Sequence, residues 1–189
     1  ETFDPAARER YGVYYTPVEV VRFMVGALDR ALRAMSYDGL QDQKVHILDP
    51  ATGTGTFLLG IVDRVREDMA EKGYAAGDVQ LALEDLSKRM YGLELLIGPL
   101  AVAHDRLHTA LALSSASSTP SRLGVYLADT LAEPGAAAPG GTLGFVSSTI
   151  GDEMKEANRI KSEQPVLAII GNPPYFRLPA ADAPELIGR

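Results

Sequence analysis

Three observations place this chain in the α/β class, with a mostly parallel sheet and helices on both faces. Short apolar runs rich in β-branched residues alternate with amphipathic helical stretches along the chain, the pattern of successive strand–helix–strand crossovers. The first of these runs leads through a Gly-x-Gly turn, Gly53-Thr54-Gly55, straight into a helix, a nucleotide-binding arrangement. Acidic residues stand at the ends of three predicted strands, as Asp49, Glu94 and Asp129, and open α/β sheets bind ligands outside their strand carboxyl ends.

The elements follow in order. Residues 1–15 are polar and then aromatic, with Tyr11, Tyr14 and Tyr15 close together. Thr16-Pro17-Val18-Glu19 reads as a helix start, with Thr16 as N-cap, Pro17 at the first helical position and Glu19 as capping-box partner. Val21, Met24, Val25, Leu28, Leu32 and Met35 then recur at helical spacing until Asp38-Gly39 breaks the pattern. Residues 45–48 form a short strand, and Asp49-Pro50-Ala51-Thr52-Gly53-Thr54-Gly55-Thr56 opens a helix whose inward face carries Phe57, Leu58, Ile61, Val62, Val65 and Met69. A second helix over 77–88 shares that crossover, strand 90–95 carries Glu94, and a helix over 99–112 follows. A polar loop at 114–121 leads to strand 125–127 and to Asp129-Thr130. Residues 133–149, rich in Gly, Ala, Pro and Ser, predict a surface loop, and 152–161 a short charged helix. The last strand, within 166–170, runs through Gly171 into Asn172-Pro173-Pro174-Tyr175. Residues 1–40 are expected to form an N-terminal segment and 41–189 the N-terminal part of a catalytic domain.

Composition narrows the function. The chain has 189 residues, 46% of them hydrophobic, enough for one core. There is no cysteine, hence neither a disulfide framework nor a Cys-based metal site. His104 and His108 share a helix face but have no acidic partner set, so no metal is expected. No stretch spans a membrane and no signal peptide is visible, which makes a cytoplasmic protein the default. The net charge of −7 is the wrong sign for a nucleic-acid surface. The chain begins at Glu1 rather than Met and stops soon after the Pro-Pro loop, and it reads as a piece of something longer.

The motifs carry chemistry. The glycine turn lacks the Gly-Lys-Ser/Thr of a P-loop, and Leu58 stands where a dinucleotide fingerprint has its third glycine. Asp49 would repel a phosphate but accept from an ammonium group. These preferences suit the amino-acid end of S-adenosylmethionine better than a nicotinamide dinucleotide. Glu94 is placed to take ribose hydroxyls, against a plain solvated strand end. Asp129 is placed to hold an adenine amine, against a simple cap on the next segment. In Asn172-Pro173-Pro174-Tyr175 two prolines stiffen the chain and remove two N–H donors. An amide, free carbonyls and a ring are then presented together, a set that grips a flat molecule bearing an amino group. The plainer reading is a turn with Tyr175 lying on the core, and those four residues alone do not separate the two.

Together, residues 49–57 and Asn172-Pro173-Pro174-Tyr175 resemble the S-adenosylmethionine-dependent N6-adenine DNA methyltransferases. Tyr14-Tyr15-Thr16-Pro17 resembles the upstream cofactor motif of the subgroup in which that motif comes first, and the wording of the motifs is similar to large restriction-modification enzymes fusing nuclease, helicase and methylase. The resemblance spans nearly the whole chain. It implies a Rossmann-like methyltransferase fold, here incomplete, because the later strands and the target-recognition region of a seven-strand sheet are missing. It implies that Tyr15 and Thr16 close over the cofactor, and that Asp49, Thr52, Gly53, Thr54 and Gly55 surround its methionine part. Glu94 then takes the ribose, Leu95 packs on the adenine and Asp129 holds its amine. Asn172 and the Pro173 carbonyl accept from the target amine, Pro174 stiffens the loop and Tyr175 stacks on a flipped base. Double-stranded DNA is the implied partner, contacted largely through regions outside this chain, so the acidic charge weighs less against it. The implied fragment is inactive alone. A methyltransferase acting on a protein glutamine or an RNA base amine, and an inert scaffold with a cofactor fold, are the competing readings. A nicotinamide oxidoreductase ranks behind both.

Overall fold

The computed structural model describes residues 16–111, 122–132 and 144–173. Its centre is a parallel four-stranded sheet built from β1 (His46–Asp49), β2 (Met90–Glu94), β3 (Gly124–Leu127) and β4 (Val166–Ile169), in the order β3-β2-β1-β4. Pairing is parallel throughout: Asp49 lies opposite Gly92, Glu94 opposite Leu127, and Leu48 opposite Ile169. The order reverses at β1. The first two crossovers step away from it in one direction, and the third returns to its other side. Open α/β sheets bind ligands beside such a reversal, outside the strand carboxyl ends.

The helices follow from the apolar spacing. The first crossover contains α2 (Thr56–Glu71) and α3 (Ala76–Ser87), and the second contains α4 (Ile97–Leu111). On α2, Phe57, Leu58, Ile61, Val62, Val65 and Met69 are all buried, as their spacing predicts. They join Ile47, Met90, Val125 and Ala168 in the larger core cluster on one face of the sheet. Helix α1 (Val18–Ala34) packs on α2 and adds Val21, Val25 and Leu32 to the same cluster. The opposite face is covered by α5 (Gly144–Glu163), whose Ala157 and Ile160 meet Leu48, Leu93 and Tyr126.

Two buried charges fix the frame. Arg89, just ahead of β2, is 4% exposed. It donates from Nη1 to the carbonyls of Leu40 (3.0 Å) and Val45 (2.9 Å), from Nη2 to that of Gln41 (3.1 Å), and from Nε to the Asp85 carboxylate (3.1 Å). Burial pulls its pKa down, with Asp85 opposing. A buried arginine survives only with its donors matched in this way. Asp29 on α1 accepts from the Leu40 N–H, from Arg33, and from Arg64 of α2, locking α1 to α2.

The two edges of the described sheet differ. Outward groups of β3 are taken by side chains: His104 donates Nε2–H to the Val125 carbonyl (3.0 Å), and Glu153 accepts from the Leu127 N–H (3.2 Å). On β4, Ile169 is 67% exposed.

Two expectations are corrected. Helix α1 has Pro17, not Thr16, as its N-cap, and no side chain caps it. The Pro17 carbonyl accepts from the Val20 and Val21 amides, and proline as N-cap has no N–H for Glu19 to reach back to. Helix α5 is 20 residues long and begins at Gly144, inside the segment 133–149 expected to be a loop. Residues 133–143 lie outside the described residues. Once nucleated, a helix adds residues at little cost, and packing of Ala157 and Ile160 on the sheet outweighs the weak propensity of its start. Among the described residues no helix is long and apolar enough to cross a membrane.

Candidate functional site

The segment Thr16–Gly171 forms one compact unit, which holds the whole sheet; Asn172 and Pro173 belong to another. Within the first unit the strand ends meet around the glycine turn. Gly53 (φ 56°) and Gly55 (φ 81°) both take left-handed backbone, which only glycine adopts freely. Gly55 is the N-cap of α2. The turn is bound to β2: the Thr52 N–H donates to the Leu93 carbonyl (3.0 Å) and the Thr52 hydroxyl to the Asp49 carbonyl (3.1 Å). A Cβ on Gly92 would land on that hydroxyl and on Val125 and Leu58, so the glycine inside β2 makes room for the turn.

Glu94 is more than a solvated strand end. Oε2 accepts from the Gly53 N–H and Oε1 from the Leu96 N–H, each at 2.8 Å. Its carboxylate therefore joins the end of β2 to the glycine turn. Each oxygen keeps a further lone pair, enough for a pair of hydroxyls. Leu95, next along, is 55% exposed and offers a bare apolar surface beside it.

Asp49 is fully buried. Oδ1 accepts from the Ala51 N–H (3.1 Å), and Oδ2 is enclosed with no hydrogen-bond partner among the described residues. Burial pushes its pKa up to about 7, the Glu94 charge adds to the rise, and the Ala51 N–H opposes it. A Cβ on Gly171 would stand 2.5 Å from Asp49 Oδ1 and 3.2 Å from Pro50 Cδ. The chain leaving β4 thus crosses directly over this carboxylate.

Asp129 is exposed, and its Oδ1 accepts from the Leu131 N–H (2.9 Å), a cap on its own turn. The neighbouring Thr130 hydroxyl donates to the Pro50 carbonyl, tying the end of β3 to the loop after β1. Thr54 is held from outside by Arg106 of α4, which donates to its carbonyl (2.9 Å) and hydroxyl (3.2 Å).

Of the residues expected from sequence, direct bonds link Asp49, Thr52, Gly53 and Glu94, and Thr54 and Gly55 continue the same turn. Thr52 is 4% exposed, so its side chain shapes the turn from within. Thr16 precedes α1. Tyr15, Pro174 and Tyr175 lie outside the described residues. Sequence reading missed Gly92, Gly171, Arg106 and Thr130; a glycine inside a strand pattern was the one local signal. Among the described residues no cluster of three or more His, Asp or Glu could hold a metal ion.

The donor set fits a nucleoside carrying an amino-acid tail. It offers a carboxylate with spare lone pairs beside a glycine turn, a bare leucine, and a second carboxylate on the turn after the adjacent strand. A model of the N-6 DNA methylase family matches residues 1–178. The chain is also similar to solved structures. The DrdV–DNA complex is 31% identical with a TM-score of 0.66, over 94% of this chain and 15% of that one. A nuclease-deletion mutant of the Type ISP restriction-modification enzyme LlaGI, in complex with a DNA substrate mimic, is 26% identical with a TM-score of 0.64, over 87% of this chain and 13% of that one. The ATP-dependent Type ISP enzyme LlaBIII bound to DNA is 25% identical with a TM-score of 0.66, over 93% of this chain and 11% of that one. This chain therefore spans less than a sixth of each. No curated protein matches it.

Proposed function

This chain belongs to the N-6 DNA methylase family, and we propose on that basis that it carries the cofactor-binding half of an adenine-specific DNA methyltransferase. The reaction is methyl transfer from S-adenosylmethionine to the N6 amine of adenine in double-stranded DNA, as the modification activity of a restriction-modification system in the cytoplasm. The likeness to DNA-bound restriction-modification enzymes supports that setting. Contact with DNA is assigned largely to regions outside this chain.

The observation that carries the reading is the Glu94 carboxylate bound to the Gly53 and Leu96 amides. A ribose diol needs a fixed carboxylate beside a close-approaching backbone, and these bonds fix it before any ligand arrives. Leu95 offers its apolar face to the adenine ring, and Asp129 accepts from the adenine amine. Gly53 and Gly55 allow the methionine part to approach the backbone, and Tyr15 and Thr16 close over it. The cofactor supplies an electrophilic methyl group on a sulfonium.

Asn172 and the Pro173 carbonyl act on the acceptor. An exocyclic adenine amine is a poor nucleophile because its lone pair is delocalised into the ring. Two acceptors on its hydrogens favour a pyramidal nitrogen with the lone pair free, and in-line positioning completes the step. Pro174 holds the loop stiff, and Tyr175 stacks on the base, which must leave the duplex to reach it. The chain has no cysteine, so attack by a thiolate of its own, as C5-cytosine methylation requires, is not open to it.

The test is mass spectrometry of nucleosides from duplex DNA incubated with S-adenosylmethionine and the full-length protein that contains this chain, with Asn172→Ala in the same full-length protein alongside. N6-methyldeoxyadenosine that disappears in the variant is expected. Methyl transfer to a protein glutamine or an RNA base instead of DNA, or activity that survives Asn172→Ala, would overturn the reading.

A further inference from the structure

Lys161 belongs to none of the motifs, yet it reaches the turn that carries Asp129. From α5 its ammonium donates to the Asp129 carbonyl at 2.7 Å and to the Ala132 carbonyl at 3.0 Å. The same turn is closed by the Leu131 N–H on Asp129 Oδ1 (2.9 Å) and by the Ala132 N–H on the Asp129 carbonyl (3.3 Å). Partial burial lowers the pKa of Lys161, and the Asp129 charge opposes that. The lysine is thus spent on two neutral backbone acceptors. Those acceptors open and close the turn that begins with the residue whose carboxylate, in the cofactor reading above, meets the adenine amine. The Thr130 hydroxyl holds the turn from its other side, on Pro50. Asp129 itself is exposed, so its aim depends on these backbone ties.

We infer that Lys161 is a positioning residue for cofactor selectivity: by fixing the backbone of Asp129–Ala132 it aims the Asp129 carboxylate at the adenine 6-amino group. The inference rests on the cofactor reading of Asp129. It differs from a purely structural role, in which Lys161 only fastens α5 to the turn. A fastening contributes equally to every ligand, whereas aiming one carboxylate contributes only to ligands bearing the amine.

The experiment is calorimetric titration with two probes, S-adenosylhomocysteine and its analogue with hydrogen in place of the 6-amino group. Wild type is expected to prefer the amine-bearing probe by about tenfold or more, the order of one hydrogen bond to a charged acceptor. Lys161→Met keeps the stem and removes the donors. It should cut that preference by about fivefold or more while changing affinity for the analogue less than about twofold, because only the aimed hydrogen bond is lost. Lys161→Arg should restore most of the preference, and Lys161→Gln, whose shorter neutral amide donates more weakly, should fall between and serves if the methionine variant does not fold. Asp129→Ala should abolish the preference, and adding Lys161→Met to it should remove nothing further. Equal weakening of both probes by Lys161→Met, or a preference left intact, would overturn the inference. A preference that survives Asp129→Ala, or a wild type that binds neither probe, would instead overturn the cofactor reading beneath it.

Discussion

Replacing Asp49 by Asn isolates a proton that the fold itself holds. The carboxyl is fully buried, with a pKa of about 7 in the folded chain and about 3.9 in the unfolded one. Between those values the folded state binds a proton that the unfolded state does not. Linkage then makes stability fall as pH rises through that window, with the contribution complete below about pH 4 and lost above about pH 7. The full shift of about three pH units corresponds to about 4 kcal/mol, of which about 2.5 kcal/mol falls between pH 5 and pH 8. Asn has nearly the same shape, keeps an oxygen for the Ala51 N–H, and does not titrate. Its buried amide costs about 1–3 kcal/mol where unpaired, but that cost is the same at both pH values. The difference in stability between Asp49→Asn and wild type should therefore move in favour of the variant by about 2.5 kcal/mol from pH 5 to pH 8, as an upper bound given residual charge screening. Urea denaturation at the two pH values measures it. A difference that does not change with pH would refute the account of Asp49 as a carboxyl held neutral by burial.

Two further outcomes follow from the same loops. Glu94→Gln leaves one acceptor where Gly53 and Leu96 each donate at 2.8 Å, so an amide N–H must face one of them. It should lose about 1–3 kcal/mol of stability and show faster hydrogen exchange at one or both amides; unchanged exchange at both would show that the carboxylate does not hold the turn. Gly171→Ala puts a methyl group 2.5 Å from Asp49 Oδ1, and backbone attached to a strand has little room to give. A loss of about 1–3 kcal/mol is expected, read by denaturant midpoint, and an alanine variant as stable as wild type would mean the loop is free to lift.

Much of this was legible in the sequence because it is local. The six inward residues of α2 are read off a period of 3.6, and the left-handed glycines 53 and 55 are read off a turn that needs them. What was not legible is set by partners far away in the chain. Asp49 looked like an open ligand for an ammonium group; it is enclosed because Gly171, more than a hundred residues later, brings the chain over it. Glu94 looked solvated or ribose-bound, and its actual partners, Gly53 and Leu96, depend on the register of β1 against β2. Arg89 carries no motif, and its three backbone acceptors come together only when the segment between α1 and β1 folds under β2. The start of α5 was misread for the opposite reason: local composition argued for a loop, and packing farther along the helix prevailed. The N-cap of α1 is a smaller case, in which the helix begins one residue later than the Thr-Pro pair suggests.

The side-chain bonds along β3 also bear on association. To add a strand beside β3, an incoming backbone must first displace His104 from the Val125 carbonyl and Glu153 from the Leu127 amide, and one of these is a bond to a charged group, worth about 1.5–3 kcal/mol. Strand exchange between copies, or fibril growth, is thereby disfavoured at the β3 edge.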